Sequence, residues 1–152
     1  FDMVRLGIGL YGVSNAEEER KHLLPISELK ARVSQIKNLK AGDSVGYGRR
    51  FKADAESRIA VISIGYADGF SRSLSLGVGK VMIKGKLYPT VGSVCMDMVM
   101  VNIFEDPIEE GEEVLIFGDE RSIYDFARDM NTIPYEVLTG ISQRVKRVYF
   151  MS

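Results

Sequence analysis

Ser57-Arg58-Ile59-Ala60-Val61-Ile62-Ser63-Ile64-Gly65 decides the fold. Ile59, Val61, Ile62 and Ile64 are β-branched and suit a pleated, packed surface, so the stretch predicts a buried strand. It runs into Tyr66-Ala67-Asp68-Gly69-Phe70-Ser71-Arg72, a polar loop with an aromatic on each side.

Upstream, Leu29, Ala31 and Val33 alternate with Lys30, Arg32 and Ser34, so a strand is expected from residue 28. Lys37-Asn38-Leu39-Lys40-Ala41-Gly42-Asp43 closes it, and a tight Gly-Asp corner suits the next strand of a small barrel. Downstream, residues 80–84 and 86–91 predict a hairpin around Gly85. Across residues 97–104, Met98, Met100 and Asn102 alternate with Val99, Val101 and Ile103. Glu109-Glu110-Gly111-Glu112-Glu113 is an acidic turn, followed by a short buried strand at 114–117.

The period then changes. Ser122 and Asp125 form a capping box, with Ile123, Phe126, Ala127 and Met130 at helical spacing behind it. Asn131-Thr132-Ile133 breaks that helix, Pro134 suits the first turn of another, and Val137, Leu138 and Ile141 give it an apolar face. Residues 145–151 return to a strand pattern, residues 1–11 are strand-like, and residues 13–27 are polar and acidic enough for a linker or surface loop. The expected architecture is mainly β, a small barrel or closed sheet with two short helices near the C-terminus.

A chain of 152 residues with 45% hydrophobic and 27% charged side chains is ordinary for one folded domain. Its net charge of −1 makes no electrostatic case for nucleic acid or an anionic membrane. No apolar run approaches the ~20 residues of a membrane-spanning helix, and no secretory signal is expected. The single cysteine, Cys95, cannot form an internal disulfide and suits a reducing, cytoplasmic setting. The single histidine, His22, lies in a polar stretch, so no His-based metal site is expected. Because Phe1 falls inside a strand-like run with nothing before it to pair with, a fragment of a longer protein is expected.

The chemistry centres on Val45-Gly46-Tyr47-Gly48-Arg49-Arg50-Phe51. Glycines on both sides let the backbone turn sharply, and the two arginines could stabilise a phenolate below its usual pKa of ~10. A plain hairpin turn is the competing reading. Arg5 stands in an apolar, glycine-bearing run, where a charge must be paired or surface-directed. Gly7 and Gly9 would admit a phosphate close to the backbone, or pack in a strand. Cys95-Met96-Asp97 lacks the partners of a metal site and favours Cys95 as a small core residue. Tyr135 opens the last helix, where N–H groups favour an anion.

Together these segments resemble alanine racemase, the fold-type III pyridoxal-phosphate enzyme. The matching stretches are Met3-Val4-Arg5-Leu6-Gly7-Ile8-Gly9-Leu10-Tyr11-Gly12, Leu24-Pro25, Val45-Gly46-Tyr47-Gly48 and Ile64-Gly65-Tyr66-Ala67-Asp68-Gly69. Pro89-Thr90-Val91-Gly92 with Cys95-Met96-Asp97, Ile133-Pro134-Tyr135-Glu136 and Arg144-Val145-Lys146-Arg147-Val148-Tyr149 follow in the family's order. The resemblance implies that residues 1–12 are the last strand of an N-terminal (β/α)8 barrel, 13–27 a linker, and 28–152 the C-terminal β domain.

It also implies roles. Tyr47 matches the catalytic tyrosine, one of two bases that move a proton between the faces of Cα. Arg5 matches the arginine on the cofactor's pyridine nitrogen. Gly7, Ile8 and Tyr135 match phosphate-binding positions, and Met96 with Asp97 match the substrate-carboxylate site. Tyr66, Arg72 and Ile133 match the entry corridor. Implied partners are alanine, the N-terminal barrel domain, and a second copy in a head-to-tail homodimer with shared active sites. In that dimer Tyr47, Met96 and Asp97 complete the site of the other subunit, while Arg5 and Tyr135 serve their own. The lysine that carries pyridoxal 5'-phosphate belongs to the barrel, so this chain alone is expected to be inactive.

Two positions depart from the pattern: Ser93 stands where many members carry arginine, and Gly46 replaces a small polar residue. Competing expectations are a serine-racemising relative, or a non-catalytic β-barrel that binds a ligand or dimerises.

Overall fold

Alternating small apolar and polar residues carry a strand of 11 residues, β1 (Leu29–Leu39), in a computed structural model that describes residues 2–150. A two-stranded ribbon follows, β2 (Ser44–Val45) and β3 (Phe51–Lys52). The apolar stretch that opened the sequence becomes β4 (Ser57–Ile62). Then come β5 (Lys80–Ile83), β6 (Lys86–Val91), β7 (Val99–Asn102) and β8 (Glu113–Phe117). All strands but the ribbon close an antiparallel barrel in the order β1-β4-β7-β6-β5-β8. Closure removes the exposed edges that an open sheet would present.

The long first strand achieves the closure. Its first half pairs β8, with Ala31 opposite Val114, and its second half pairs β4, with Ile36 opposite Ala60. The register shifts between Val33 and Gln35, where the strand changes partner. An irregularity of this kind bends and twists a strand, as a small barrel requires. The expected β5–β6 hairpin forms on Lys84 and Gly85, both with positive φ (51° and 73°), the pairing a tight primed turn needs.

Inward residues Ile62, Val81, Ile83, Val99, Val101, Val114 and Ile116 are fully or almost fully buried. Burial of each such side chain stabilises the fold by about 1.5–3 kcal/mol. The helix α2 (Ile123–Asp129) sends Phe126 into this core, 5.7 Å from the ring of Phe70 and 5.8 Å from that of Phe117. Its N-cap is Ser122, which accepts from the Tyr124 N–H at 3.0 Å. Asp125 does not complete a capping box; it pairs with Arg128 at 2.9 Å. The buried Arg121 just before α2 is satisfied by the Lys80 and Ile116 carbonyls and by Asp129 at 2.7 Å. Pro134 opens the last helix (Pro134–Gly140), which buries Val137.

Two strand expectations are corrected. Residues 2–7 form no strand, and Ile8–Tyr11 is a 3-10 turn. An apolar run becomes a strand only when another strand takes its N–H and C=O groups, and none of the barrel strands pairs with this one. Phe1 lies outside the described residues. Within the segment 13–27, Val13 and Ser14 are buried, and a short helix, α1 (Glu17–Arg20), follows them. Ser14 exchanges backbone hydrogen bonds with the Tyr124 hydroxyl, and Arg20 stacks 4.0 Å over the Tyr124 ring. Residues 145–150 carry no strand either, for the same want of a partner; Met151 lies outside the described residues.

Candidate active site

The loop between β6 and β7, residues 92–98, is the hub of the site. A hydrogen bond from the Cys95 N–H to the Met98 carbonyl at 2.9 Å closes it into a turn that exposes Met96 and Asp97. Cys95 is buried with Ile59, Val91 and Met100, so it is the core residue expected of it. Its thiol reaches the Ser93 carbonyl at 3.6 Å.

The Tyr47 ribbon sits on one side of this hub. Val45 and Phe51 pack on the Cys95 cluster. A Cβ on Gly92 would lie 3.1 Å from the Val45 carbonyl oxygen, and one on Gly46 would lie 3.1 Å from Met100 Cε and 3.6 Å from the Ser93 nitrogen. Gly46 takes φ 76° and ψ 178°, a region that essentially only glycine occupies, and Gly48 takes φ 70° and ψ 8°. The departure at position 46 therefore matches the backbone found there. Between these two glycines Tyr47 is held out into solvent, 78% exposed, with Arg49 and Arg50 exposed beside it.

The loop after β4 sits on the other side. Tyr66 donates its N–H to the Cys95 carbonyl and Ala67 donates to that of Met96, each at 3.0 Å. Asp68 accepts from the Gly65 N–H at 2.9 Å and from Arg144 Nε at 2.7 Å. Burial alone would raise the Asp68 carboxyl, but Arg144 and the Gly65 N–H outweigh it and hold the group below its ordinary value. Arg144 also reaches Asp97 Oδ1 at 2.6 Å, and Asp68 and then Asp97 hold its guanidinium above the usual value. Arg72 lies on the 3-10 turn Arg72–Leu74, tied to the hub because the Ser75 hydroxyl donates to the Arg72 carbonyl and accepts from the Val94 N–H at 3.0 Å.

Tyr47, Tyr66, Arg72, Met96 and Asp97 thus lie on segments joined through one loop. Ile133 and Tyr135, both exposed, lie at the start of the last helix. The opposite end of that helix, Gly140–Ile141, abuts Gly69, roughly 9 Å away along the axis. Arg5 and Gly7 are exposed and unconnected to the hub by any hydrogen bond among the described residues, while Ile8 is buried in the main core. Asp68 and Arg144 lie within the matching sequence stretches but carry no role on sequence grounds. Their opposite charges were visible; their partnership across 76 positions was not.

Comparison with known proteins follows the same outline. The family described as "Alanine racemase, C-terminal domain" matches residues 26–149. The alanine racemase of Clostridium novyi (strain NT) is 45% identical over 98% of this chain and 41% of its own length. The crystal structure of alanine racemase from D-cycloserine-producing Streptomyces lavendulae superposes with a TM-score of 0.91 at 38% identity, covering 100% of this chain and 42% of that one. The enzyme from Bartonella henselae, solved with covalently bound pyridoxal phosphate, superposes at 0.86 with 37% identity, over 95% of this chain and 40% of its own. The chain spans about two fifths of the length of the relatives it matches.

Proposed function

The chain belongs to the alanine racemase C-terminal domain family, and on that premise we propose that it is the C-terminal part of a pyridoxal-phosphate enzyme. That enzyme interconverts L- and D-alanine and supplies D-alanine for peptidoglycan in the cytoplasm. The observation that carries the reading is Tyr47, an exposed phenol on a two-glycine tip seated against the loop of Met96 and Asp97. A racemase needs an acid–base group on each face of Cα, and an outward phenol serves the face supplied from a second subunit. In the head-to-tail homodimer, Tyr47, Met96 and Asp97 complete the partner's site.

The residues here fit the cofactor's chemistry. A Cβ on the exposed Gly7 would meet nothing within 4 Å, leaving room for a phosphate beside the first N–H groups of the 3-10 turn Ile8–Tyr11. Gly7, Ile8 and the Tyr135 phenol would hold that phosphate. Arg5 would donate to the ring nitrogen and leave it unprotonated, since guanidinium keeps its protons. Bound pyridoxal phosphate supplies the electron sink that makes the Cα proton labile. The chain's own contributions are proton exchange at the Tyr47 oxygen, carboxylate binding by the Met96 backbone beside Asp97, and a corridor formed by Tyr66, Arg72 and Ile133.

The test uses the complete protein carrying this domain. Tyr47→Phe should reduce kcat/KM for racemisation in both directions alike by at least about 100-fold, with cofactor binding retained, because each direction uses both groups. Unchanged kcat/KM would overturn Tyr47's role, and wild-type protein inert towards alanine would overturn the racemase reading. The 152-residue chain with added pyridoxal phosphate should racemise nothing, because the lysine-bearing barrel is outside it.

A further inference from the structure

One guanidinium joins the two loops that flank the hub. Arg144 donates through Nε to Asp68 Oδ1 at 2.7 Å and through its terminal nitrogen to Asp97 Oδ1 at 2.6 Å. Asp68 is the fixed end. Its side chain is 14% exposed and its other oxygen takes the Gly65 N–H at 2.9 Å. The backbone that carries Arg144 is also tied down. Ser142 donates to the Asp68 carbonyl, and Arg147 returns to the Ile141 and Val145 carbonyls at 3.0 and 2.7 Å. Asp97, by contrast, stands 56% exposed at the tip of its turn.

An ion pair as open as Arg144–Asp97 adds little to stability. Its geometry does something else. A planar guanidinium can engage two carboxylates at set angles, as a lysine ammonium cannot. Here it fixes the direction of Asp97 and places a positive charge beside a carboxylate that would otherwise repel any anion brought to Met96.

We propose that Arg144 is a positioning and specificity residue: anchored on Asp68, it clamps the Met96–Asp97 turn and neutralises Asp97 so that a substrate carboxylate is accepted next to it. The specificity half rests on the racemase reading; the clamp does not. Without Arg144 the loop keeps its backbone bonds from Tyr66 and Ala67 and the Ser75 bond at Val94, but Met96 and Asp97 lose their only side-chain hydrogen bond among the described residues.

The experiment has two arms. In the complete protein carrying this domain, Arg144→Gln should raise KM for alanine about tenfold with kcat within about threefold, a loss that matches one charge-assisted contact. Arg144→Lys should fall between it and wild type. Adding Asp97→Asn to Arg144→Gln should recover most of the lost affinity, because the uncompensated charge is gone. KM unchanged in Arg144→Gln, or a double variant no better than the single one, would overturn the specificity role. In the 152-residue chain itself, Arg144→Gln should speed amide exchange at Ala67 and Cys95 about tenfold, and unchanged exchange would overturn the clamp. Should the complete protein prove inert towards alanine, the racemase reading and the specificity role fall together, and the exchange arm still decides the clamp.

Discussion

A Cβ on Gly65 would stand 2.4 Å from the carbonyl oxygen of Cys95 and at the same distance from that of Met96. Gly65 itself has φ −146°, an extended conformation open to any residue, so the requirement for glycine is one of space. The two carbonyls are backbone atoms engaged by Tyr66 and Ala67, and they cannot withdraw without breaking those bonds. Gly65→Ala should therefore destabilise by about 3 kcal/mol and lower the melting temperature by about 10 °C. Thermal unfolding followed by circular dichroism checks this; a shift below about 2 °C would mean that the hub loop yields.

The glycines around Tyr47 make unequal demands. Gly48 (φ 70°, ψ 8°) is left-handed, a conformation asparagine tolerates, whereas Gly46 (φ 76°, ψ 178°) lies in a region for glycine alone. Gly48→Asn should cost less than about 1 kcal/mol and Gly46→Asn about 1–3 kcal/mol, read from urea midpoints at equal m-value. Equal losses would show that the tip relaxes around either side chain.

Much of this was legible in the sequence where burial sets the period. Residues 57–65 read as a strand because both faces of β4 meet packed neighbours, and the Lys84-Gly85 turn advertised its hairpin. Residues 2–7 and 145–150 carry similar apolar residues yet form no strand, since periodicity reports a preference and says nothing of a partner. Tyr47 could be singled out from its flanking glycines. The partnership of Arg144 with Asp68 and Asp97 could not, because each is an ordinary charge until the fold joins positions 76 and 47 apart. Ser14 and Tyr124, 110 apart, are hidden for the same reason.

Acid should act partly through Asp68. Burial raises its carboxyl, but Arg144 and the Gly65 N–H prevail and hold its folded pKa below the ordinary value. A carboxylate depressed in this way stabilises the fold above its unfolded pKa of ~3.9, and the contribution fades as pH falls through the lower folded value. Asp68→Asn should be less stable than wild type at neutral pH and lose less on acidification from pH 5 downward. Parallel stability–pH curves for the two proteins would show that the pairing carries no linkage.

At the alkaline end the informative group is Tyr88. Burial, then its hydrogen bond to Asp106 at 2.8 Å, pushes this phenol up to about 12. The unfolded phenol ionises near ~10, so stability is intact below that pH and is lost as pH rises towards the folded value, by about 2–3 kcal/mol in total. Tyr88→Phe should flatten the decline between pH 10 and 12. Tyrosinate absorbance should rise more between pH 10 and 12 in the wild type than in Tyr88→Phe; equal rises over that range would contradict the burial argument.

The segment before the barrel is bolted to α2 by one hydroxyl. Tyr124 Oη accepts the Ser14 N–H at 2.8 Å and donates to the Ser14 carbonyl at 2.9 Å, and Ser14 is buried. Tyr124→Phe keeps the ring, its place at the core's edge and the stacking of Arg20 4.0 Å above it. What it removes is the only hydrogen-bond partner of the Ser14 N–H among the described residues; the Ser14 carbonyl keeps its bond from Arg20 Nε at 2.9 Å. Leaving that one buried N–H unpaired costs about 1–3 kcal/mol, more than the loss of an exposed contact would. The loss should appear first as local opening: faster amide exchange at Ser14 and through Glu17–Arg20, with exchange in β4 and β7 changed only by the drop in global stability. Slow exchange at Ser14 in the variant would mean that the segment is held by the packing of Val13, and that the hydroxyl contributes little.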